Sequence, residues 1–316
     1  MKLSGRSSHQ GGPPKFAILL NPSAGGGRAG RSRERLEMLL RDQEIAYDLV
    51  ATENEEQLKG LGRKLVAQGR AIVGAGGDST FHLIINEIMK AGGRAALGLI
   101  GLGSSNDITL EFGLEPLEKA VAAIKRNRTR LVDLGGIEQG GKTLRYFLGQ
   151  ANIGLGVVVN RYVDELARRR PWLAHRQALA GTLGIMRAYR KKQVPLEMTI
   201  RSGQEAINGS YLVALFCNTR YWATGKLMAP AARPDDGRLD ACLIANCSFL
   251  RLTRINGLAN SGKHGRAPEV RFLQSAEFMV SSPTAFAIQA DGEIVSPEPG
   301  EAVHFQVKPR ALCLIC

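Results

Sequence analysis

Apolar and polar positions follow two different rhythms along this chain. In the first, compact apolar runs are separated by stretches with helical spacing. Phe16–Leu20 is apolar throughout, the pattern of a strand buried on both faces. Residues 30–41 place Leu36, Leu39 and Leu40 on one side of a helix. The spacing then predicts strand over Ile45–Ala51, helix over Glu55–Ala67, strand over Ala71–Gly74 and helix over Phe81–Lys90. Strand Ala96–Ile100, helix Pro116–Lys125 and strand Arg130–Asp133 follow. Strands alternating with helices across short glycine turns predict a parallel sheet with right-handed crossovers. Ligands on such sheets sit beyond the carboxyl ends of strands, where these glycine turns fall.

The rhythm changes near Leu134. Strand patterns then dominate: Arg145–Gln150, Val194–Arg201, Ala206–Cys217, Leu239–Ala245, Val270–Val280, Ala285–Gln289 and Ala302–Val307. One helical stretch, about Arg161 to Lys192, interrupts them. The expectation is a mobile tail over 1–14, an α/β domain over 15–133 and a mostly antiparallel β domain over 134–295.

Composition narrows the function. The 316 residues suffice for about two domains, and 44% hydrophobic with 22% charged residues excludes wholesale disorder. Lys plus Arg outnumber Asp plus Glu by 42 to 29, a net charge of +13, which favours an anionic partner. No apolar run reaches the ~18 residues of a membrane span, and the N-terminus lacks the apolar core of a signal peptide. The expected location is cytoplasmic, with peripheral contact to a membrane. Cys217, Cys242, Cys247, Cys313 and Cys316 read as reduced cysteines in strand-like segments, although Cys313 and Cys316 also fit a redox or prenylation spacing.

Four segments carry candidate chemistry. Gly25-Gly-Gly27-Arg-Ala-Gly30 follows a strand and precedes a helix. It fits a dinucleotide loop with Asp48 on a ribose, a plain tight turn, or another phosphate loop. Gly76-Gly77-Asp78-Ser79-Thr80 offers backbone N–H groups to phosphate at a helix start. A carboxylate beside phosphates is repelled unless it serves a metal or takes a proton, so Asp78 is informative; its bland reading is a helix cap. Gly103-Ser104-Ser105-Asn106-Asp107 repeats that grammar after the next strand, and two such loops together make one phosphate cradle. Asp291-Gly292-Glu293 places two carboxylates around a glycine after a strand; its bland reading is a β-turn.

Taken in order with Asn21-Pro22 and Asp236-Gly237-Arg238-Leu239-Asp240, these motifs resemble the diacylglycerol kinase catalytic-domain family, which includes sphingosine and ceramide kinases. The resemblance spans residues 16–307. It implies an N-terminal α/β domain with a parallel sheet, a C-terminal antiparallel β-sandwich, and a return of 296–316 to the first domain. It implies ATP and Mg²⁺, with γ-phosphoryl transfer to a lipid hydroxyl of diacylglycerol, ceramide or a sphingoid base. It assigns Asn21, Pro22, Ser23, Gly25 and Gly26 to a first nucleotide loop, and Gly76, Gly77, Ser79 and Thr80 to a second. Gly103, Ser104, Ser105 and Asn106 fall in a third. By the same resemblance Asp78 or Glu293 would be the general base, Glu293 matching a metal carboxylate as well, with Asp291 beside them. The resemblance implies metal carboxylates at Asp107 and Asp133, and Asp236 matches a structural Mg²⁺ site.

Two departures stand out. Ser79 replaces the fourth-position glycine of the family's Gly-Gly-Asp-Gly-Thr, and Ser104-Ser105 replace Thr-Gly in its third loop. Either serine puts a Cβ where unusual dihedrals or close approach are expected. Over 161–192, nine Lys and Arg face Asp164 and Glu165, interleaved with Trp172, Leu173, Leu179, Leu183 and Ile185. That composition suits an anionic membrane surface, or a solvated helix packed by its leucines. No nucleic-acid motif accompanies the charge, and no His or Cys spacing fits zinc. An NAD kinase-like enzyme and a nucleotide- or lipid-binding regulator stay open as alternatives, as does a homodimer.

Overall fold

The computed structural model describes residues 16–93, 95–169, 177–191 and 193–316. The tail over 1–14 lies outside the described residues, as do Arg170, Trp172, Leu173, Arg176 and Lys192 of the basic segment.

The first half is an α/β layer. Strands β1 (Phe16–Leu20), β2 (Tyr47–Ala51), β3 (Ala71–Gly76) and β4 (Ala96–Gly101) lie side by side in the order β4-β3-β1-β2, all parallel. Helices α1 (Arg28–Arg31), α2 (Arg33–Asp42), α3 (Glu55–Ala67), α4 (Asp78–Lys90), α5 (Asp107–Glu111) and α6 (Leu117–Arg126) connect them. The local chemistry is plain in α3: the Asn54 side chain accepts from Gln57 N at 2.9 Å, and Glu55 and Glu56 fill the first turn. Helix α4 packs directly on β3. A Cβ on Gly74 would meet Ile84 Cδ1 and Phe81 Cδ1 at 3.0 Å, so glycine is what lets helix and strand approach.

The second half is an antiparallel β-sandwich. Its strands are β5 (Thr129–Gln139), β6 (Lys142–Phe147) and β7 (Gln150–Gly154), then, after α7 (Leu155–Arg169) and α8 (Gln177–Arg190), β8 (Leu196–Ser202) and β9 (Glu205–Cys217). A short ribbon, β10 (Tyr221–Trp222) and β11 (Lys226–Leu227), precedes β12 (Leu239–Ala245) and α9 (Phe249–Ala259). Strands β13 (Val270–Ser275), β14 (Glu277–Ser281), β15 (Ile288–Ala290), β16 (Glu293–Val295) and β17 (Val303–Ile315) complete the chain. Phe216 stacks on Phe305 with centroids 4.1 Å apart, and Phe147 and Phe278 join them in the core.

Strand β17 ties the halves together. Its residues 303–306 pair with β14, whereas Cys313 and Leu314 pair in parallel with Ala96 and Leu97 of β4. Strand β5 runs along it antiparallel, with an irregularity between Lys308 and Leu312 where Arg310 takes φ 52°.

Three sequence expectations change. Strand β5 continues past Asp133 to Gln139, so Asp133 sits inside a strand rather than at its end. The interrupting stretch starts at Leu155, ahead of its basic residues, and holds two helices, α7 and α8; a further helix, α9, follows Ser248, whose side chain caps it through Arg251 N. The run Val270–Val280 breaks at Ala276 into β13 and β14. All five cysteines are free, with Cys217 and Cys242 buried. No helix among the described residues is long and apolar enough to cross a membrane.

Candidate active site

Three glycine loops leave the ends of β1, β3 and β4 and touch one another. Gly25, Gly26 and Gly27 all have positive φ, between 62° and 83°, which excludes most side chains there. A Cβ on Gly25 would lie 2.7 Å from Leu102 O, so the first loop rests on the third. A Cβ on Gly103 would lie 2.4 Å from Gly77 Cα, so the second and third loops meet backbone to backbone. Side chains fasten the arrangement. Asn21 Nδ2 donates to Thr80 Oγ1 at 3.1 Å, and Asn21 Oδ1 accepts from Ser23 N and Oγ. Pro22 O accepts from Gly30 N, and Thr80 fills the space beside Gly76. Asn106, at φ 56°, accepts from Gly103 N at 2.8 Å.

These loops line a cavity of about 340 Å³. Asn21, Gly25, Gly77, Asp78, Ser79 and Thr80 line one side. Gly103, Ser104, Ser105 and Asp107 line another, and Asp291 and Gly292 close it. Gly26, Pro22, Ser23, Gly76 and Asn106 shape the loops from behind. Helix α4 begins at this cavity with no side-chain cap, so its first N–H groups face the space where an anion gains most.

Three carboxylates crowd the floor. Asp78 accepts from Asp107 N at 3.2 Å and Ile108 N at 3.3 Å. Burial pushes its carboxyl up to about 7, the charges of Asp107 and Asp291 push the same way, and the two N–H donors oppose them. Asp107 accepts from Thr224 N at 3.2 Å and Gly225 N at 2.6 Å, and burial raises it too. Asp291, at φ 46°, accepts from Leu148 N, Gly149 N and Gln150 N at 2.7–3.0 Å, so it shapes the β6–β7 turn. His82 is fully buried behind it, Nδ1 3.7 Å from Asp291 Oδ2, with neither ring nitrogen hydrogen-bonded.

Other expected residues lie elsewhere. Asp133 accepts from Gly237 N and Arg310 N, each at 2.7 Å, one bond per oxygen; it fastens the 233–238 loop to β17 and does not line the cavity. Asp236 is exposed in that loop, accepting from Arg238 N at 3.0 Å, with Gln274 beside it. Glu293 lies half-buried on β16 outside the lining; burial first and Glu55 of α3 second raise its carboxyl. Asp48 is held by Arg70 Nη1 at 3.0 Å, away from the first glycine loop. Neither Ser79 nor Ser105 has a positive φ. The expected dihedral conflict is absent, and what Ser79 changes is space: a Cβ on Gly292 would fall 2.8 Å from its Oγ.

Further residues complete the site. Gln150, Asn160, Thr219, Tyr221, Trp222 and Gln289 line the same cavity. Asn160, Trp222 and Ala223 also line a second cavity of about 500 Å³, walled mostly by apolar groups of α7, α8, α9, β9 and β12. Val159, Ile185, Val213, Met228, Leu252 and Ile255 give it its character. A polar cradle and an apolar chamber therefore adjoin at shared side chains.

Mg²⁺ uses one or two carboxylates, with phosphate and water supplying the rest. Asp107 offers such a carboxylate on the cavity floor beside Asp78, and a cation would relieve their mutual repulsion, so the residues present fit it. Asp133 does not line this cavity.

Comparison with known proteins adds independent findings. Residues 15–137 match the model of the diacylglycerol kinase catalytic domain, and residues 149–316 match the YegS C-terminal NAD kinase beta sandwich-like domain. A diacylglycerol kinase of Mycobacterium tuberculosis is 27% identical over 290 residues, covering 91% of each chain. One from Staphylococcus saprophyticus is 24% identical over 299 residues, covering 92% of each. A diacylglycerol kinase structure from Bacillus anthracis superposes with TM-score 0.67 at 13% identity, covering 96% of both chains.

Proposed function

The chain belongs to the diacylglycerol kinase catalytic-domain family, and from that premise we propose that it is an ATP-dependent lipid kinase. Residues 15–133 with 296–316 bind the nucleotide in this reading, and 134–295 bind the acceptor. The observation that carries it is the junction of the two cavities: a glycine-lined anion cradle opens, past Asn160 and Trp222, on an apolar chamber. A soluble acceptor such as NAD would meet a polar second cavity.

The three loops and the start of α4 hold the ATP phosphates through backbone N–H groups, which act best where charge develops. Mg²⁺ held by Asp107 would supply charge neutralisation to the phosphates. Asp78 takes the proton from the acceptor hydroxyl as its oxygen bonds to the γ-phosphorus. The bond to the β–γ bridging oxygen breaks and ADP leaves. Burial raises the Asp78 carboxyl to about 7 in the metal-free protein, which makes it a stronger base than an exposed aspartate. The acceptor is diacylglycerol, a ceramide or a sphingoid base, presented by a membrane whose anionic surface attracts the basic segment 161–192.

The test is transfer of labelled phosphate from ATP to diacylglycerol, ceramide, sphingosine and NAD, with Asp78→Asn alongside. Label in a lipid, lost in the variant, supports the reading. Label in NAD alone, or ATP binding without transfer to any acceptor, overturns it.

A further inference from the structure

Helices α8 and α9 wall the apolar cavity and meet beside it. The Tyr189 and Phe249 rings stand edge to face with centroids 6.3 Å apart, and Tyr189 Oη donates to Cys247 O at 3.0 Å. Thr182 of α8 and Asn256 of α9 line the cavity and are exposed as well, so the cavity reaches the surface between the two helices.

The rim at that opening has a one-sided chemistry. Leu250 is 80% exposed and Met186 is 47% exposed, one on each helix near the Tyr189–Phe249 contact. Neither helix contains an acidic residue. Arg187 and Arg251 are held by Glu165 and Glu269. Arg190 and Lys191 are exposed and make no ion pair among the described residues; Arg254 is exposed too, beyond ion-pair distance of Glu269 although its charge acts on that carboxylate. A single exposed leucine needs no explanation. Two apolar side chains among unpaired cations, at the mouth of an apolar chamber, match the layered chemistry of a bilayer surface: anionic headgroups outside, hydrocarbon within. A nucleic acid would use the cations and leave Leu250 and Met186 in water.

We propose that the α8–α9 rim docks on an anionic phospholipid bilayer. Leu250 and Met186 enter the interface, and Arg190, Lys191 and Arg254 sit on headgroups. The acceptor then passes from the bilayer into the chamber between the helices; this last step rests on the lipid-kinase reading, whereas the docking does not. Helix α9 is the new element here, since the basic segment of the sequence ends at Lys192.

The test is co-sedimentation of the full chain with vesicles of equal parts phosphatidylglycerol and phosphatidylcholine, and with vesicles of phosphatidylcholine alone. Binding is expected only to the first, weakening as salt rises. Arg254→Glu removes two charge increments of about fivefold each, so partitioning falls about 25-fold. Leu250→Asp lowers it about tenfold by removing apolar burial, and Leu250→Ser acts in the same direction. Met38→Asp, at a site 52% exposed on α2, leaves it unchanged. Absence of binding to anionic vesicles, wild-type binding by the rim variants, or an equal loss in Met38→Asp overturns the docking. A short-chain acceptor dissolved without vesicles separates the two ideas, because rim variants keep wild-type turnover on it. If no acceptor is phosphorylated while the vesicle pattern holds, the kinase reading falls and the docking stands.

Discussion

The carboxylate of Asp78, first residue of α4, accepts the backbone N–H of Asp107, first residue of α5, at 3.2 Å. One acidic side chain thus caps the next helix, whose own acidic side chain reaches the 223–225 turn. The two glycine loops are coupled through their catalytic candidates, and a change in one carboxylate propagates to the other.

Asp78→Asn is expected to separate stability from activity. General-base removal costs about 10²–10⁴ in turnover. The folded-state pKa, about 7, lies above the unfolded value near 3.9, so the folded protein holds a proton that the unfolded chain releases. Its contribution to stability is fully present below pH ~4 and is lost as pH rises toward 7. The amide carries no charge, so without nucleotide and metal the variant unfolds at a higher temperature than wild type at pH 8 and at nearly the same temperature at pH 4. Thermal melts across pH check this. The wild-type turnover should also climb with pH as Asp78 loses its proton and then level off; a flat profile would remove Asp78 from the base role.

Gly103→Ala tests the contact between loops. The new Cβ would sit 2.4 Å from Gly77 Cα, a backbone atom that has no side-chain freedom to move aside. The loops must separate, at an expected cost of about 1–3 kcal/mol. Because the cradle depends on their spacing, ATP affinity should fall at least tenfold by calorimetry, while the fold of 134–295 persists by circular dichroism. Unchanged affinity would mean that the nucleotide does not use this pair of loops.

Which parts of the site were legible follows from how local they are. The glycine loops carry their signal within a few residues of one strand end, so Asp78, Asp107 and Asp291 were readable as one group. The strand end at Asp133 was not legible, because the apolar pattern of Arg130–Asp133 stops there whereas the strand runs on to Gln139. Helix α9 was readable in principle: Ser248 precedes Leu252, Ile255 and Ala259 at helical spacing. The apolar chamber was not. Val213, Ile244 and Ile255 come from separate elements, and only tertiary packing makes them neighbours.

Ser79→Gly tests the departure from the family's loop. Ser79 lies in the first turn of α4 with ordinary dihedrals, so glycine relieves no strain there. Its helix propensity is worse by up to ~1 kcal/mol. The expected result is a slightly lower melting temperature and a kcat within threefold of wild type. A tenfold gain in kcat would mean that the Ser79 hydroxyl, which lies close to Gly292, obstructs the reacting geometry.

Gly181→Leu isolates the apolar chamber from the chemistry. Gly181 lines that cavity in the middle of α8, and a Cβ built on it meets nothing within 4 Å. Leucine can therefore be added without displacing backbone, and its helix propensity exceeds that of glycine by roughly 0.8–1 kcal/mol. The melting temperature should hold or rise. The leucine side chain nevertheless occupies volume that an acyl or sphingoid chain would fill. Turnover on a long-chain acceptor should fall at least tenfold, mostly through KM, with ATP affinity unchanged because the glycine cradle lies beyond Asn160 and Trp222. A stable variant with wild-type KM for long-chain lipid would place the hydrocarbon elsewhere on the protein and leave the chamber without a role in acceptor binding.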